Sequence, residues 1–426
     1  MTDTNSLRDE PTLRLVRDGR DAPPLEPKPE RGSASLGRVL GLDLARALAV
    51  FGMFYSHVGP RRHFDNPVVN AIMEIPHGRS AALFAVLAGL SLVLLAGGRR
   101  PRPALERRRR IVRIVIRSLL LIALGSALTA AMGVDIIILA FYGLYFLLAL
   151  PFIRCGTRTL AILSAAVAAV GSVVFYWFTM ARPGWISAVD ALDPLARAGA
   201  DGIVSLLFTG FYPAFPWLAY IFAGMAIGKL DLSARRIRFR LAWVGAGLAA
   251  FGYGFSWVLR DVVFAAGPAM AGSGSWSSGS DMSSSPGSSG AMVPDGVSPW
   301  SPDMLRFLLE SSPHSGTMFE LTGNIGIAML VITACVALLD RSAPARKLLT
   351  PITAVGAMSL TLYVAHLWGI GLVPPQSATS VVPELRAWAW FCLAAVAFAF
   401  LWSRFFKRGP LEHLMHWATG VAKFVR

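Results

Sequence analysis

The chain has 426 residues, 54% of them hydrophobic and 15% charged, with a mean hydropathy of +0.55. A soluble domain carries about 25% charged residues, so this composition excludes an ordinary water-soluble globule and points to an all-α polytopic membrane protein. The net charge of +15 is no sign of a nucleic-acid partner, because the basic residues cluster in short segments between apolar runs, where membrane topology accounts for them.

Residues 1–37 are charged and Pro-rich and read as a disordered cytoplasmic tail. Nothing in them resembles a cleavable signal peptide, so the apolar run from Gly41 reads as an uncleaved first span. That run, GLDLARALAVFGMFYSHV, holds Asp43 and Arg46 near one end and His57 at the other. At roughly 100° and 1.5 Å per helical residue, the three fall within an arc of about 60°, with Asp43 and His57 about 21 Å apart along the axis. Ionisable groups in a span are costly and mark substrate or ion pathways. The competing account is a simple ion pair, spaced i, i+3, that caps the span in the interface.

Apolar periodicity and length predict ten spanning helices, at about 41–58, 80–97, 111–131, 135–153, 159–180, 203–228, 241–258, 318–339, 351–371 and 385–403. Of the 40 Lys and Arg, 30 fall in the tail and the connections on one side, and 8 fall on the other. Arg46 and Arg117 lie inside spans. The positive-inside rule then places both termini in the cytoplasm. A transmembrane domain is expected over 38–410, with a long Gly/Ser-rich extracytoplasmic loop at 259–317. Residues 411–426 are expected as a cytoplasmic interfacial tail. Cys155, Cys335 and Cys392 lie in or beside spans with no disulfide or metal spacing, so buried free thiols and no metal are expected.

This topology brings five of the seven histidines to or near the outer face. His57 closes the first span, and His63 and His77 lie in the loop after it. His314 precedes the eighth span, and His366 sits near the outer end of the ninth. Each could be an interfacial polar anchor. His77 stands out because Gly78 allows close approach and Arg79 supplies a neighbouring cation. No HxH or HxxxH spacing supports a metal site. On the sixth span, FYPAFPWL carries two prolines that interrupt a helix. Irregular backbone at membrane depth is tolerated where it lines a cavity, so this break, with Tyr212 and Trp217, is a candidate cavity wall.

RVLGLDLARALAVFGMFYSH resembles the R-x-x-x-LDxxRGxAxxxM opening of the heparan-α-glucosaminide N-acetyltransferase-like proteins, within a transmembrane acyltransferase superfamily that has bacterial members of the YeiB (DUF418) type. HGRSAALFAVLAGLSL, FYPAFPWLAYIFAGMAIGKLDL, PHSGTMFELTGNIGIAML and AVGAMSLTLYVAHLW extend the resemblance from about residue 38 to 410. The departure is Ala47, where the family's motif has Gly. The resemblance implies acetyl transfer from cytoplasmic acetyl-CoA to a hydroxyl or amine of an extracytoplasmic sugar, glycolipid or cell-envelope acceptor. In the animal lysosomal enzyme the catalytic His lies in the loop before the corresponding second span, so His77 is its natural match, ahead of His57.

Under that reading His77 or His57 acts as general base or as covalent acetyl carrier, and Arg79 stabilises the oxyanion. Asp43, Arg46, Tyr212 and Trp217 hold the acetyl-CoA, and His314 and His366 meet the acceptor. The lipid bilayer is the other partner, and a homodimer is the family-level expectation. The Ala/Arg/Gly-rich composition suits a bacterial plasma membrane. The alternative is a transporter or flippase that uses the same fold without acyl transfer; its expected signature, inverted repeats, is not evident.

Overall fold

The computed structural model of the chain describes residues 31–60, 66–98, 103–134, 136–181, 185–263, 302–373 and 381–424. The expected disorder of residues 1–30, the Gly/Ser-rich stretch 271–300 and His63 lie outside them. Among the described residues every regular element is helical. The principal helices are α1 (Arg31–Val58), α2 (Arg79–Ala96), α3 (Ala104–Met132), α4 (Leu139–Ala149), α5 (Thr157–Ala181), α6 (Ala214–Gly228), α7 (Arg235–Ala249), α8 (Met318–Arg341), α9 (Thr350–Ala357), α10 (Ser359–Ile370), α11 (Val382–Phe405) and α12 (Pro410–Ala418). Two expectations need correction. The first helix begins at Arg31, inside the stretch read as a disordered tail. A short helical segment at Pro302–Leu308 lies within the stretch 259–317 read as one long loop, and another at Val258–Val263 runs into its start.

Among the described residues, six helices are long and apolar enough to cross a membrane, by length and composition. Their bounds are Val68–Ala96, Ala104–Met132, Thr157–Thr179, Arg235–Arg260, Met318–Arg341 and Val382–Phe405. The number is seven if α9 and α10, bent by 84° at their junction, form one span. Each remaining expected span also coincides with helix, but α1 carries Asp43 and Arg46, and the apolar segments Leu139–Arg154 and Ala214–Gly228 are short.

Local chemistry sets the helix ends. Gly97 (φ 118°) and Gly133 (φ 64°) take the left-handed conformation that closes α2 and α3. The sixth expected span is interrupted at 210–213, and α6 starts after Pro213, with Pro216 in its first turn where the missing N–H has no helical partner to lose. The α9–α10 break leaves the first amides of α10 without helical acceptors, and Glu412 of α12 supplies them. Its carboxylate accepts from Leu360 N (2.8 Å), Thr361 N (3.2 Å) and Thr361 Oγ1 (2.5 Å).

α1 is the hub, touched by α2, α8, α9, α10 and α11. α6 packs against both α2 and α5, α7 against α8, and α3 against α4. Glycine permits the closest approaches. A Cβ on Gly224 of α6 would lie 1.9 Å from Val86 O of α2, and one on Gly356 of α9 would lie 1.8 Å from Asp43 O of α1. Gly356 therefore presses the end of α9 onto the turn of α1 that carries the ion pair.

Gly224→Ala forces α2 and α6 apart and should destabilise the protein by roughly 1–3 kcal/mol, read as a lowered unfolding temperature in detergent. Gly247→Ala is the control. Its Cβ meets nothing within 4 Å, and removing an exposed helical glycine should leave the protein as stable or up to ~1 kcal/mol more so.

Candidate functional site

Polar groups gather at the two ends of α1. At the Asp43 end, Arg46 Nη1 donates to Asp43 Oδ1 at 2.5 Å, and Nη2 donates to Ser91 Oγ on α2 at 2.8 Å. The pair predicted from the i, i+3 spacing is therefore present, and the other arm of the guanidinium reaches a neighbouring helix. Beside it lies a cavity of about 570 Å³, lined by Arg46, Arg110, Arg113, Arg117 and Arg408, with Glu412 as its one carboxylate. Arg117 Nε is covered and has no hydrogen-bond partner in the structure. The start of α10 opens here too, since Ser359 and Leu360 line the cavity. Glu412 on those amides shows that this helix end attracts a negative group, as exposed N–H groups and the helix dipole require.

At the other end, α1 places Tyr55 and His57 two residues apart, about 200° around the helix. His57, His77, His314 and His366 therefore fall into two groups on opposite sides of α1. On one side His57 Nδ1 and His366 Nε2 are 2.8 Å apart, with the rings stacked at 5.1 Å. His366 is buried, packs on Phe54, and bonds through Nδ1 to Tyr363 O. A carbonyl only accepts, so His366 Nδ1 carries hydrogen. With both rings neutral, His366 Nε2 then accepts from His57 Nδ1–H, and the lone pair of the assembly is on His57 Nε2. This is the orientation of a base by a second group.

On the other side, the His77 ring meets Tyr55 edge-on at 5.5 Å. Its Nδ1 donates to Met73 O at 3.2 Å and lies 4.0 Å from Glu74 Oε2. Arg79 Nη1 donates to Glu74 O (2.8 Å), and the guanidinium lies over the Tyr253 ring at 4.7 Å. Arg79 thus ties the turn before α2 to the helical segment that follows α7. A Cβ on Gly78 would fall 2.9 Å from Pro313 Cβ, which puts His77 beside the turn that carries His314.

His314 has φ +62°, uncommon for a residue with a side chain. Glu320, buried in the first turn of α8, holds this turn by accepting from His314 N and Gly316 N, both at 2.8 Å. Glu320 also accepts from Asn324 Nδ2 (3.2 Å), and Asn324 links it to Tyr220 (3.0 Å) and Tyr253 (2.5 Å). The His314 ring sits among Phe211 (4.4 Å), Tyr212 (5.4 Å) and Trp217 (6.0 Å). Its Nδ1 is covered and has no partner in the structure. Burial, reinforced by nearby His77, pushes the His314 imidazole down to about 4, so it is neutral at pH 7. Tyr212 and Trp217 thus group with His314, not with the Asp43–Arg46 pair.

Sequence reasoning missed Glu320 and Asn324, although T-x-x-E at 317–320 is a capping-box pattern and two polar side chains four apart on an apolar helix face carry the same signal as Asp43. Arg110, Arg113 and Arg408 read only as topology-setting charges. Their convergence depends on α3 meeting the C-terminal segment, for which no local pattern exists.

A family model described as heparan-alpha-glucosaminide N-acetyltransferase, catalytic, matches residues 38–252, just over half of the chain. A second, described as a protein of unknown function (DUF418), matches residues 300–422. No curated protein matches the chain. Both polar ends of α1 draw on both matched segments: Arg46, Arg110, Arg113, Arg117, His57 and His77 from the first, Arg408, Glu412, His314 and His366 from the second.

The depressed His314 makes stability depend on pH. Between about 6.5 and 4 the unfolded chain binds a proton at this residue that the folded chain does not, so stability present above pH 6.5 is lost as pH falls toward 4. His314→Asn keeps a residue that tolerates positive φ and removes the imidazole. The difference in unfolding temperature between wild type and variant should be constant above pH 7 and shift against the wild type on acidification. Parallel curves down to pH 4 would exclude this role.

Proposed function

The chain belongs to the heparan-alpha-glucosaminide N-acetyltransferase catalytic family, a family of membrane acetyltransferases, and on that footing we propose that it moves an acetyl group from cytoplasmic acetyl-CoA to a hydroxyl or amine on the far side of a bacterial plasma membrane. In this reading α1, the α4 segment, α6 and the α9–α10 pair complete ten spans. Both termini and the arginine cavity face the cytoplasm, as the concentration of 30 of the 40 Lys and Arg on that side favours.

The observation that carries the proposal is the arginine cavity at the foot of the same helix that presents His57 at its other end. Five guanidinium groups line the cavity; Arg46 is paired with Asp43 and Arg110 with Glu106, and the positive charge that Arg113, Arg117 and Arg408 add suits the phosphates of CoA, which arginine grips through paired donors. Arg117, with Nε covered and unpartnered in the structure, has capacity for a further acceptor. Arg46 and His57 are eleven residues apart, about 16 Å along the helix, on the order of an extended pantetheine arm. The thioester can then approach the histidines while the nucleotide stays with the arginines.

At the histidine end, His57 Nε2 takes the proton from the acceptor hydroxyl or amine as its oxygen or nitrogen attacks the thioester carbon. The new C–O or C–N bond forms, the C–S bond breaks, and the imidazolium returns the proton to the departing CoA thiolate. His366, fixed by Tyr363 O, keeps His57 in the basic orientation. His77 is the other candidate base, favoured by its Nδ1 anchorage to Met73 O and its proximity to Glu74. Arg79, with Nη1 on the Glu74 carbonyl, supports the His77 turn in either case.

The second reading is transport without acyl transfer. The 84° break between α9 and α10 favours it, because broken helices line transporter sites. Binding of acetyl-CoA separates the two.

Arg113→Gln combined with Arg408→Gln should weaken acetyl-CoA binding by about a hundredfold or more, since each charged hydrogen bond contributes roughly 1.5–3 kcal/mol. Arg236→Gln, exposed and outside the cavity lining, should bind like wild type in the same calorimetric titration. With labelled acetyl-CoA and an envelope-lipid extract, His57→Ala should abolish transfer while leaving CoA binding intact. Transfer that survives both His57→Ala and His77→Ala removes the histidine mechanism, and absence of CoA binding by the wild type removes the acyltransferase reading.

A further inference from the structure

A second cavity, of about 590 Å³, lies between α10 and α11 and reaches His366, the hydrogen-bonded partner of His57. One wall is α10, with Leu362, Ala365, His366 and Gly369; the other is α11, with Ala387, Trp390, Phe391 and Ala394; Phe54 of α1 closes the inner end. Small residues on both walls make the room. Its lining is apolar except for Thr361 and His366.

The α11 wall belongs to one of the six helices apolar and long enough to span a membrane, and it is the least buried of them. Trp390 (67% exposed) and Leu372 (87%) stand at the groove's margin. The groove thus opens toward the hydrocarbon side of the bundle and runs inward to His366, which is bonded to the base proposed for acyl transfer. A water-soluble sugar gains nothing from such walls. A molecule with a hydrocarbon body and a hydroxyl or amine at its head matches both parts, and the volume is in the range of pockets that enclose small organic ligands.

We infer that this groove seats the hydrocarbon chain of the acceptor, so that the acceptor is a membrane lipid whose hydroxyl or amine head lies at His57. The inference rests on the acetyl-transfer reading for the role of the head group. The lipid enters sideways between α10 and α11 without leaving the bilayer. Its head group gives its proton to His57 Nε2 and gains the acetyl group as the thioester C–S bond breaks, and His366 forms the boundary between chain and head.

The test uses the full chain in phosphatidylcholine nanodiscs and a monoacylglycerol that carries a photoreactive diazirine in its chain. On illumination, adducts should concentrate on Leu362–Gly369 and Ala387–Phe398, and they should survive excess bilayer phosphatidylcholine. Filling the groove with Ala365→Phe and Ala394→Phe, both exposed positions, should cut those adducts at least tenfold. Ala397→Phe, on α11 but outside the groove lining, should not. With labelled acetyl-CoA, the ratio of kcat/KM for the monoacylglycerol to that for glycerol should fall at least tenfold in the filled variant.

Adducts spread evenly over the outward-facing helices would overturn the inference and show ordinary bilayer lipid in the groove. Cross-links joining α11 of two copies of the chain would overturn it in favour of a subunit interface. An unchanged selectivity ratio in a filled, folded variant would overturn it as well. Groove adducts that vanish on filling, in a protein that transfers acetyl to neither compound, would uphold the chain site and refute the acetyl-transfer reading alone.

Discussion

Arg46 sets the terms for the rest of the molecule. A guanidinium and a carboxylate in an apolar helix must be paired and hydrogen-bonded, because an isolated buried charge costs several kcal/mol. α1 meets that demand through the i, i+3 pair, the Ser91 hydroxyl of α2 and the close approach of α9 at Gly356. These contacts fix where α2 and α9 stand against α1. The break that follows α9 turns α10 so that it starts at the arginine cavity and carries His366 to His57. One part-buried ion pair is thus tied, through helix packing, to both polar ends of the bundle.

Much of this was legible in the chain and some of it was not. Asp43, Arg46 and His57 share a face by helical periodicity alone, and the pairing of the first two follows from their spacing. The apolar runs located the helices, but among the described residues length and composition support six spans, or seven with the bent pair, fewer than ten. The shortfall is physical: α1 carries charge, and α4 and α6 are short. The interruption at 210–213 could be read from its prolines. The break at Met358 could not, because no proline or glycine occupies the junction, and the capping carboxylate comes from Glu412, some fifty residues on.

The histidines show where one-dimensional reasoning stops. Topology put them at one end but could not say which touch. The 200° between Tyr55 and His57 sends His366 and His77 to opposite sides of α1, and only tertiary packing reveals His57–His366 as one hydrogen-bonded unit. Glu320 likewise acts through contacts that are both local and distant. It fixes the strained backbone of His314 four residues before α8 and, through Asn324, ties α6 and the helical segment that follows α7 to the same turn. Tyr212 and Trp217, expected with the cofactor, instead frame His314.

The central claim is that the two ends of α1 serve two sides of a membrane. The most direct measurement is product sidedness in proteoliposomes of known orientation, with labelled acetyl-CoA supplied to one face at a time and an amphiphilic alcohol in both leaflets. The account predicts acetylated product in the leaflet on the histidine face only when acetyl-CoA is given to the arginine face, with CoA released on the face where it was added. Product in the leaflet on the donor's own side, or equal turnover with acetyl-CoA supplied to the histidine face, would contradict it.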